Sequence, residues 1–146
     1  MPALNWSDEF NLGVAAMDAV HREFVALLAE VENADDARLA PLWQRLVEHT
    51  QGHFDAEDRY MAAARFFAAH CHTTHHQMVL RVMRDALEKS DPAHIRQLAR
   101  ELAVWFARHA ETMDAALAGH LLQVGFDPAS GAIARPELMP AEQPVH

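Results

Sequence analysis

Residues 53–57 of this chain read HFDAE, and residues 72–76 read HTTHH. Each stretch contains two possible metal donors four residues apart, His53 with Glu57 and His72 with His76. In an α-helix, side chains at this spacing lie on the same face, so each stretch presents two donors to one place. Because the two stretches lie in separate amphipathic segments, they predict two helices that direct polar side chains into a shared interior.

Two further segments carry donors of the same kind. One contains His21, and the other contains His109 and Asp114. Five residues of helix rotate the second side chain of that last pair about 140° away from the first. The pair can therefore straddle a site from both sides of its helix, or a local wide turn can bring the two donors together.

Helical periodicity and breaking residues predict four helices. Their expected limits are Asp18 as the first cap with helix through Val31, Pro41 to about Ala64, residues 69–89, and Asp91-Pro92 to about Val124. No segment alternates with period two. Short connections favour an all-α, antiparallel up-down-up-down four-helix bundle, with an irregular N-terminal arm over residues 1–17. The predicted domains are the bundle at 1–124 and a Pro-rich, non-helical tail at 125–146, either draped on the bundle through Phe126, Ile133 and Leu138 or disordered.

Composition narrows the function. Lys and Arg total 12 against 21 Asp and Glu, which gives a net charge of −9. This charge disfavours nucleic acids and anionic membranes as partners, and no apolar stretch is long enough to span a bilayer. The single cysteine, Cys71, excludes an internal disulfide and favours a cytoplasmic location; it is expected to be a buried bystander.

Eleven histidines are the unusual feature of the composition. Any one pair of donors can arise by chance, and His49, four residues before His53, could extend the row. Donors in all four predicted helices are harder to explain without metal, because five imidazoles and two carboxylates buried together would be unstable alone. The predicted metal ligands are His21, His53, Glu57, His72, His76, His109 and Asp114. A tetrahedral zinc site would leave several of them unused.

The combined pattern resembles the hemerythrins, especially the single-domain bacterial proteins, over about residues 5–122. The similarity rests on Trp6, the MDAVH motif at 17–21, the HFDAED motif at 53–58 with Met61, His72-x-x-x-His76, and Trp105-Phe106-x-x-His109-x-x-x-x-Asp114. The resemblance implies two iron ions. His72, His76 and His109 would bind one ion and His21 and His53 the other, while Glu57, Asp114 and an oxo or hydroxo group would bridge them.

A count of coordination positions agrees with that assignment. Two octahedral ions offer twelve positions, and the histidines, bridging carboxylates and bridging oxygen fill eleven. The remaining position, on the ion with two histidines, suits a small diatomic molecule or anion. The expected function is reversible dioxygen binding by a carrier, store or sensor. A di-iron enzyme acting on peroxide or nitric oxide, and an iron-handling or signalling module, are the alternatives. The sequence identifies no partner protein.

Three aromatic residues complete the prediction: Phe106, Trp105 and Phe24 form the expected oxygen pocket. By the family resemblance, Phe106 faces the vacant position, where Leu is more usual. A bulky apolar wall there would keep out water and anions. The alternative is that Phe106, like Trp105, only fills the core.

Overall fold

The structure is a computed structural model that describes residues 4–141. Within that range the protein is an all-helical bundle, and the only β pairing is a single bridge between Phe126 and Ile133. The helices are α1 (Ala15–Asn33), α2 (Asp36–Ala63), α3 (Ala69–Lys89), α4 (Pro92–His109) and α5 (Ala115–Val124). Over the described residues, no helix combines the length and the apolar character that a membrane span requires.

The start of α1 differs from the prediction. The helix begins at Ala15, and Asp18 lies inside it rather than at its cap. The Asp18 carboxylate instead accepts hydrogen bonds from the backbone N–H groups of Leu12 (2.8 Å) and Gly13 (3.2 Å). A short 3₁₀ turn at Asp8–Phe10 precedes these residues. Asp18 therefore anchors the N-terminal arm to the helix that follows it.

The start of α2 also differs. The helix begins at Asp36 because Asp35 caps it, accepting a hydrogen bond from the backbone N–H of Arg38 (3.0 Å). Pro41 therefore lies inside the helix and not in its first turn, so one backbone hydrogen bond is missing there. The end of α2 at Ala63 and both limits of α3 agree with the prediction.

The fourth helix is one rod made of three parts. It starts as predicted, with Asp91 as the cap and Pro92 in the first position. Residues Ala110–Asp114 form a π-helical turn between α4 and α5, and the rod ends at Gly125 in a left-handed conformation (φ 68°). The predicted end near Val124 is correct.

The apolar interior forms two clusters, one on each side of the polar donors. Core I contains Phe24, Leu28, Trp43, Leu46, Met83, Ile95 and Leu102, among others; core II contains Met17, Met61, Phe66, Leu117, Leu121 and Val124, among others. Along α1 the chain runs from core II residues through His21 to core I residues. Along α2 it runs from core I to core II, and this order alternates again in α3 and in the fourth rod. The donors therefore lie at one level of the bundle, sealed by apolar layers.

Residues 125–141 return to the bundle. Phe126 and Ile133 pack against core II, whereas Leu138, in a short 3₁₀ turn at Pro136–Leu138, is exposed. Arg135 donates two hydrogen bonds of 2.7 Å to the last carbonyl groups of α5. Residues 1–3 and 142–146, which belong to the predicted arm and tail, lie outside the described range.

Candidate metal centre

All seven predicted donors are buried in the middle of the bundle. α1 supplies His21, α2 supplies His53 and Glu57, α3 supplies His72 and His76, and the fourth rod supplies His109 and Asp114. They form two groups, each with donor atoms within 4.8 Å of one another: Glu57, His72, His76, His109 and Asp114 in one, and His21, His53, Glu57 and Asp114 in the other. The two carboxylates belong to both groups.

The first group, here called the three-His half, contains one oxygen of each carboxylate. Glu57 Oε1 lies 3.3 Å from His72 Nε2 and 3.4 Å from His76 Nε2. Asp114 Oδ1 lies 3.0 Å from His72 Nε2 and 3.1 Å from His109 Nε2. Three imidazole nitrogens therefore surround two carboxylate oxygens.

The second group, the two-His half, contains the other two oxygens. Glu57 Oε2 lies 2.6 Å from His53 Nε2 and 3.3 Å from His21 Nε2. Asp114 Oδ2 lies 3.3 Å from His21 Nε2, and the two imidazole Nε2 atoms are 3.1 Å apart. Each carboxylate thus divides its oxygens between the two halves.

The π turn allows the fourth rod to supply two donors. His109 and Asp114 stand at its two ends, and the extra residue of a π turn changes the rotation between them. Their side chains meet across 3.1 Å. Of the two arrangements that the sequence left open, the structure has the wide turn.

Several of the donor atoms lack the hydrogen bonds that buried polar atoms normally have. Among residues 4–141, no hydrogen-bond partner is found for Nε2 of His72, His76 and His109, for Glu57 Oε1, or for either Asp114 oxygen. The seven side chains are at most 5% exposed, so solvent does not satisfy these atoms. Polar groups left in this state cost free energy, and cations at the centre of each group would remove the cost. Each group could therefore hold a metal ion.

Electrostatics agree with this interpretation. Burial lowers the pKa of His21 and His72, but the Asp114 and Glu57 carboxylates beside them outweigh it and raise both pKa values to about 9. Burial likewise raises the pKa of Glu57, but the adjacent His53, His21 and His72 outweigh it and bring that pKa well below its usual value. The pKa of Asp114 is lowered in the same way, chiefly through His109. Two negative carboxylates thus favour positive charge at this position.

Aromatic rings surround the two halves differently. Phe106 meets the His21 ring edge-on at 5.3 Å and stacks on Phe24 at 4.6 Å. Trp105 stacks on His109 at 4.4 Å. The structure therefore places Phe106 beside the two-His half, with Phe24 stacked on Phe106, and Trp105 beside the three-His half.

Sequence reasoning missed two neighbours of His76. Phe54 stacks on the His76 ring at 3.9 Å, with the planes only 4° apart. On the ring's other nitrogen, His76 Nδ1 lies 3.2 Å from Asp58 Oδ1. Both residues belong to the HFDAED stretch, next to His53 and Glu57, but no spacing rule pointed to contacts with α3.

Other histidines lie apart from the two groups. His49 contacts the Glu23 carboxylate on α1 at 2.9 Å, and it is not among the clustered donors of the described residues. His75 is exposed. Cys71 is exposed as well, so the expectation that it is buried is wrong. The reason is its position one residue before the inward-facing His72, which turns it away from the interior.

Comparisons with known proteins agree with the fold and the donor set. The model of the hemerythrin HHE cation binding domain matches residues 12–121. A bacteriohemerythrin from Ralstonia nicotianae is 38% identical over 130 residues, which cover 87% of this chain and 95% of that protein. A bacteriohemerythrin from Stenotrophomonas maltophilia is 27% identical over 141 residues, or 90% of this chain and 92% of that protein. No solved structure gives a significant match.

Fold and site together define a helical-bundle protein with a buried His/Glu/Asp metal-binding cluster. The chain belongs to the hemerythrin family.

Proposed function

We propose that this protein binds dioxygen reversibly at a non-haem di-iron centre. The observation that carries the proposal is the division of the carboxylate oxygens, with Oε1 and Oδ1 facing three imidazoles and Oε2 and Oδ2 facing two. Such a site would hold two iron ions, bridged by Glu57, Asp114 and an oxo or hydroxo group. With an unequal number of donors, a coordination position would remain open on one side only.

The identity of the ions follows from the donors. Nitrogen and oxygen donors in this number suit octahedral iron better than tetrahedral zinc, which takes four ligands. Bound iron supplies the electrons that reversible dioxygen binding requires. The chain's contribution is to hold five converging imidazoles in place, and to exclude water through core I and core II.

The remaining parts of the proposal concern the fold and its setting. Successive helices pass the two cores and the donors in opposite order. This alternation supports the up-down-up-down topology. The single cysteine supports a reducing, cytoplasmic setting. Carrier, store and sensor are the roles consistent with reversible binding.

The test is an optical spectrum of the iron-loaded protein. We expect two iron ions per chain and a coloured adduct that forms in air and bleaches under argon. Turnover of peroxide with a reductant, or of nitric oxide, without a reversible adduct would favour the enzyme alternative. Iron binding with no response to any of these small molecules would favour the iron-handling or signalling module.

A pair of histidines on α2 provides the control. His53 lies in the two-His half, whereas His49, one turn earlier, contacts Glu23. His53→Ala should abolish the coloured adduct and His49→Ala should retain it. Loss of the adduct in both variants would return His49 to the ligand set.

A further inference from the structure

One carboxylate outside the seven donors contacts one of the five imidazoles. Asp58 Oδ1 lies 3.2 Å from His76 Nδ1 and accepts a hydrogen bond of 2.9 Å from Thr73 Oγ1. Asp58 follows Glu57 on α2, and Thr73 precedes His76 by three residues on α3. The Asp58 side chain therefore connects the donor-bearing faces of two helices.

This contact distinguishes His76 from the other four imidazoles. Within residues 4–141, Nδ1 of His21, His53, His72 and His109 is buried and has no hydrogen-bond partner. For Nε2 to bind a metal, the imidazole proton must sit on Nδ1. Only His76 has a carboxylate at that position. Its ring is also fixed by Phe54, which stacks on its face at 3.9 Å.

We propose that Asp58 is a positioning residue that orients His76 and strengthens it as a ligand of the three-His half. The proposal rests on the metal centre proposed above. A histidine ligand that donates its second N–H to a carboxylate has a fixed tautomer and ring orientation, and it is a more basic donor. Thr73 holds the carboxylate in place. The two ions are therefore held unequally, and part of the difference depends on the charge of Asp58.

The direct test is Asp58→Asn, which removes the charge but keeps the size of the side chain. Removing a carboxylate of this kind typically costs about 10–100-fold in metal affinity. We expect that loss for one of the two ferrous ions in anaerobic titrations against a competing chelator, with the other ion unchanged. Thr73→Val should cause a smaller loss at the same ion, and Asp58→Glu, which keeps the carboxylate, should recover most of the affinity.

Two measurements separate positioning from a structural role. In the ferrous protein, one paramagnetically shifted, solvent-exchangeable imidazole N–H resonance should move in Asp58→Asn. The metal-free variant should unfold at nearly the wild-type temperature. The control is Asp55→Asn, which changes the same charge on the same helix at an exposed carboxylate that accepts a hydrogen bond from Gln51.

Three results would overturn the inference. Asp58→Asn could bind both ferrous ions as the wild type does, with every shifted N–H resonance in place. It could lose no more affinity than Asp55→Asn. It could also lower the unfolding temperature of the metal-free protein without changing the affinity. Failure of the wild type to bind two ferrous ions would overturn the proposed centre itself, which is a different and separately visible result.

Discussion

The two halves of the candidate metal centre share the same two carboxylates but have different surroundings. In the three-His half, flat aromatic faces cover two imidazoles, Phe54 on His76 and Trp105 on His109. In the two-His half, the edge of Phe106 meets the His21 ring, and Phe106 itself stacks on Phe24. One half has an additional donor and stacked rings, whereas the other has fewer donors and an apolar wall.

We expect this difference to separate two tasks, the holding of an ion and the admission of an external ligand. An imidazole fixed by stacking and by a carboxylate loses little freedom on binding an ion, so the three-His half suits permanent occupancy. A half with fewer donors would leave a position for an external ligand, and an apolar wall would disfavour water there. The predictions below test whether the halves divide in this way.

The largest effect is expected from His76→Ala, with His75→Ala as its control. His76 Nε2 faces Glu57 Oε1 at 3.4 Å in the three-His half, whereas the neighbouring His75 is exposed. His76→Ala should lose metal, and His75→Ala should keep the wild-type content by elemental analysis. Equal loss, or loss only in His75→Ala, would mean that the donors of α3 have been misassigned.

A large effect on stability is also expected from pH, and its sign should differ between the metal-free and the iron-loaded protein. In the metal-free protein, the pKa values of His21 and His72 rise from 6.5 to about 9 on folding. Their contribution to stability is therefore complete below pH 6.5 and is lost as pH rises through 9. Glu57 and Asp114, whose pKa values are lowered, contribute above their usual pKa and lose that contribution as pH falls.

Metal reverses the first of these trends. Loaded imidazoles must be neutral, so the loaded protein should lose iron and stability together as pH falls below about 6. Between pH 6.5 and 9, metal-free stability should fall while loaded stability is retained. Urea unfolding of both forms across this range measures the effect. Coincident curves of unfolding free energy against pH for the two forms would show that the metal does not contribute to folding.

The third prediction concerns the wall of the two-His half. Phe106 is 1% exposed and contacts His21, so removing its ring should open the ligand position while leaving the donors in place. Phe106→Ala should accelerate azide binding and oxidation in air, with unchanged iron content. Stopped-flow kinetics and absorbance in air provide the measurements.

Because Phe106 is part of core I, its truncation to Ala should also cost about 3–5 kcal/mol of stability. Phe106→Leu is the milder variant and should accelerate azide binding and oxidation in air by a smaller factor. Ile95→Ala, which truncates a core I residue near the start of α4, is the control and should leave azide entry unchanged. Unchanged rates in both Phe106 variants would assign this residue to the core alone.

The sequence predicted the positions of side chains most reliably where residue spacing alone determines which helix face they share. The pairs His53/Glu57 and His72/His76 share a helix face at any start of the helix, and the structure brings them together with the other three donors. Their role as ligands stays a prediction. For His109 and Asp114 the sequence left two arrangements open, because a π turn depends on packing across the bundle rather than on local residue preference.

The helix starts show why the rest could not be predicted. Asp18 and Pro41 are both typical of a helix N-terminus, yet both lie inside helices. Asp35, another capping residue, begins α2 earlier, and Asp18 binds backward to Leu12 and Gly13. Side-chain stacking such as Phe54 on His76 depends on rotamers and on which helices are neighbours, which no pattern in one segment records.

The smallest effect is expected at Gly52, which immediately precedes His53 of the two-His half. A methyl group added at Gly52 meets nothing within 4 Å, so the glycine is not required for close packing there. Gly52→Ala should raise the free energy of unfolding by about 1 kcal/mol, because alanine loses less backbone entropy in a helix. Gly125→Ala is the opposing control, since its Cβ would lie 2.6 Å from that of Ala134 at a φ of +68°. Urea unfolding of the two metal-free variants should show a higher free energy of unfolding for Gly52→Ala and a lower one for Gly125→Ala. Azide kinetics of iron-loaded Gly52→Ala then show whether stiffening α2 beside His53 slows ligand entry. If stability rises and azide kinetics are unchanged, ligand entry depends on the smaller number of donors in the two-His half and on the Phe106 wall. If azide enters more slowly, ligand entry also depends in part on the flexibility of α2.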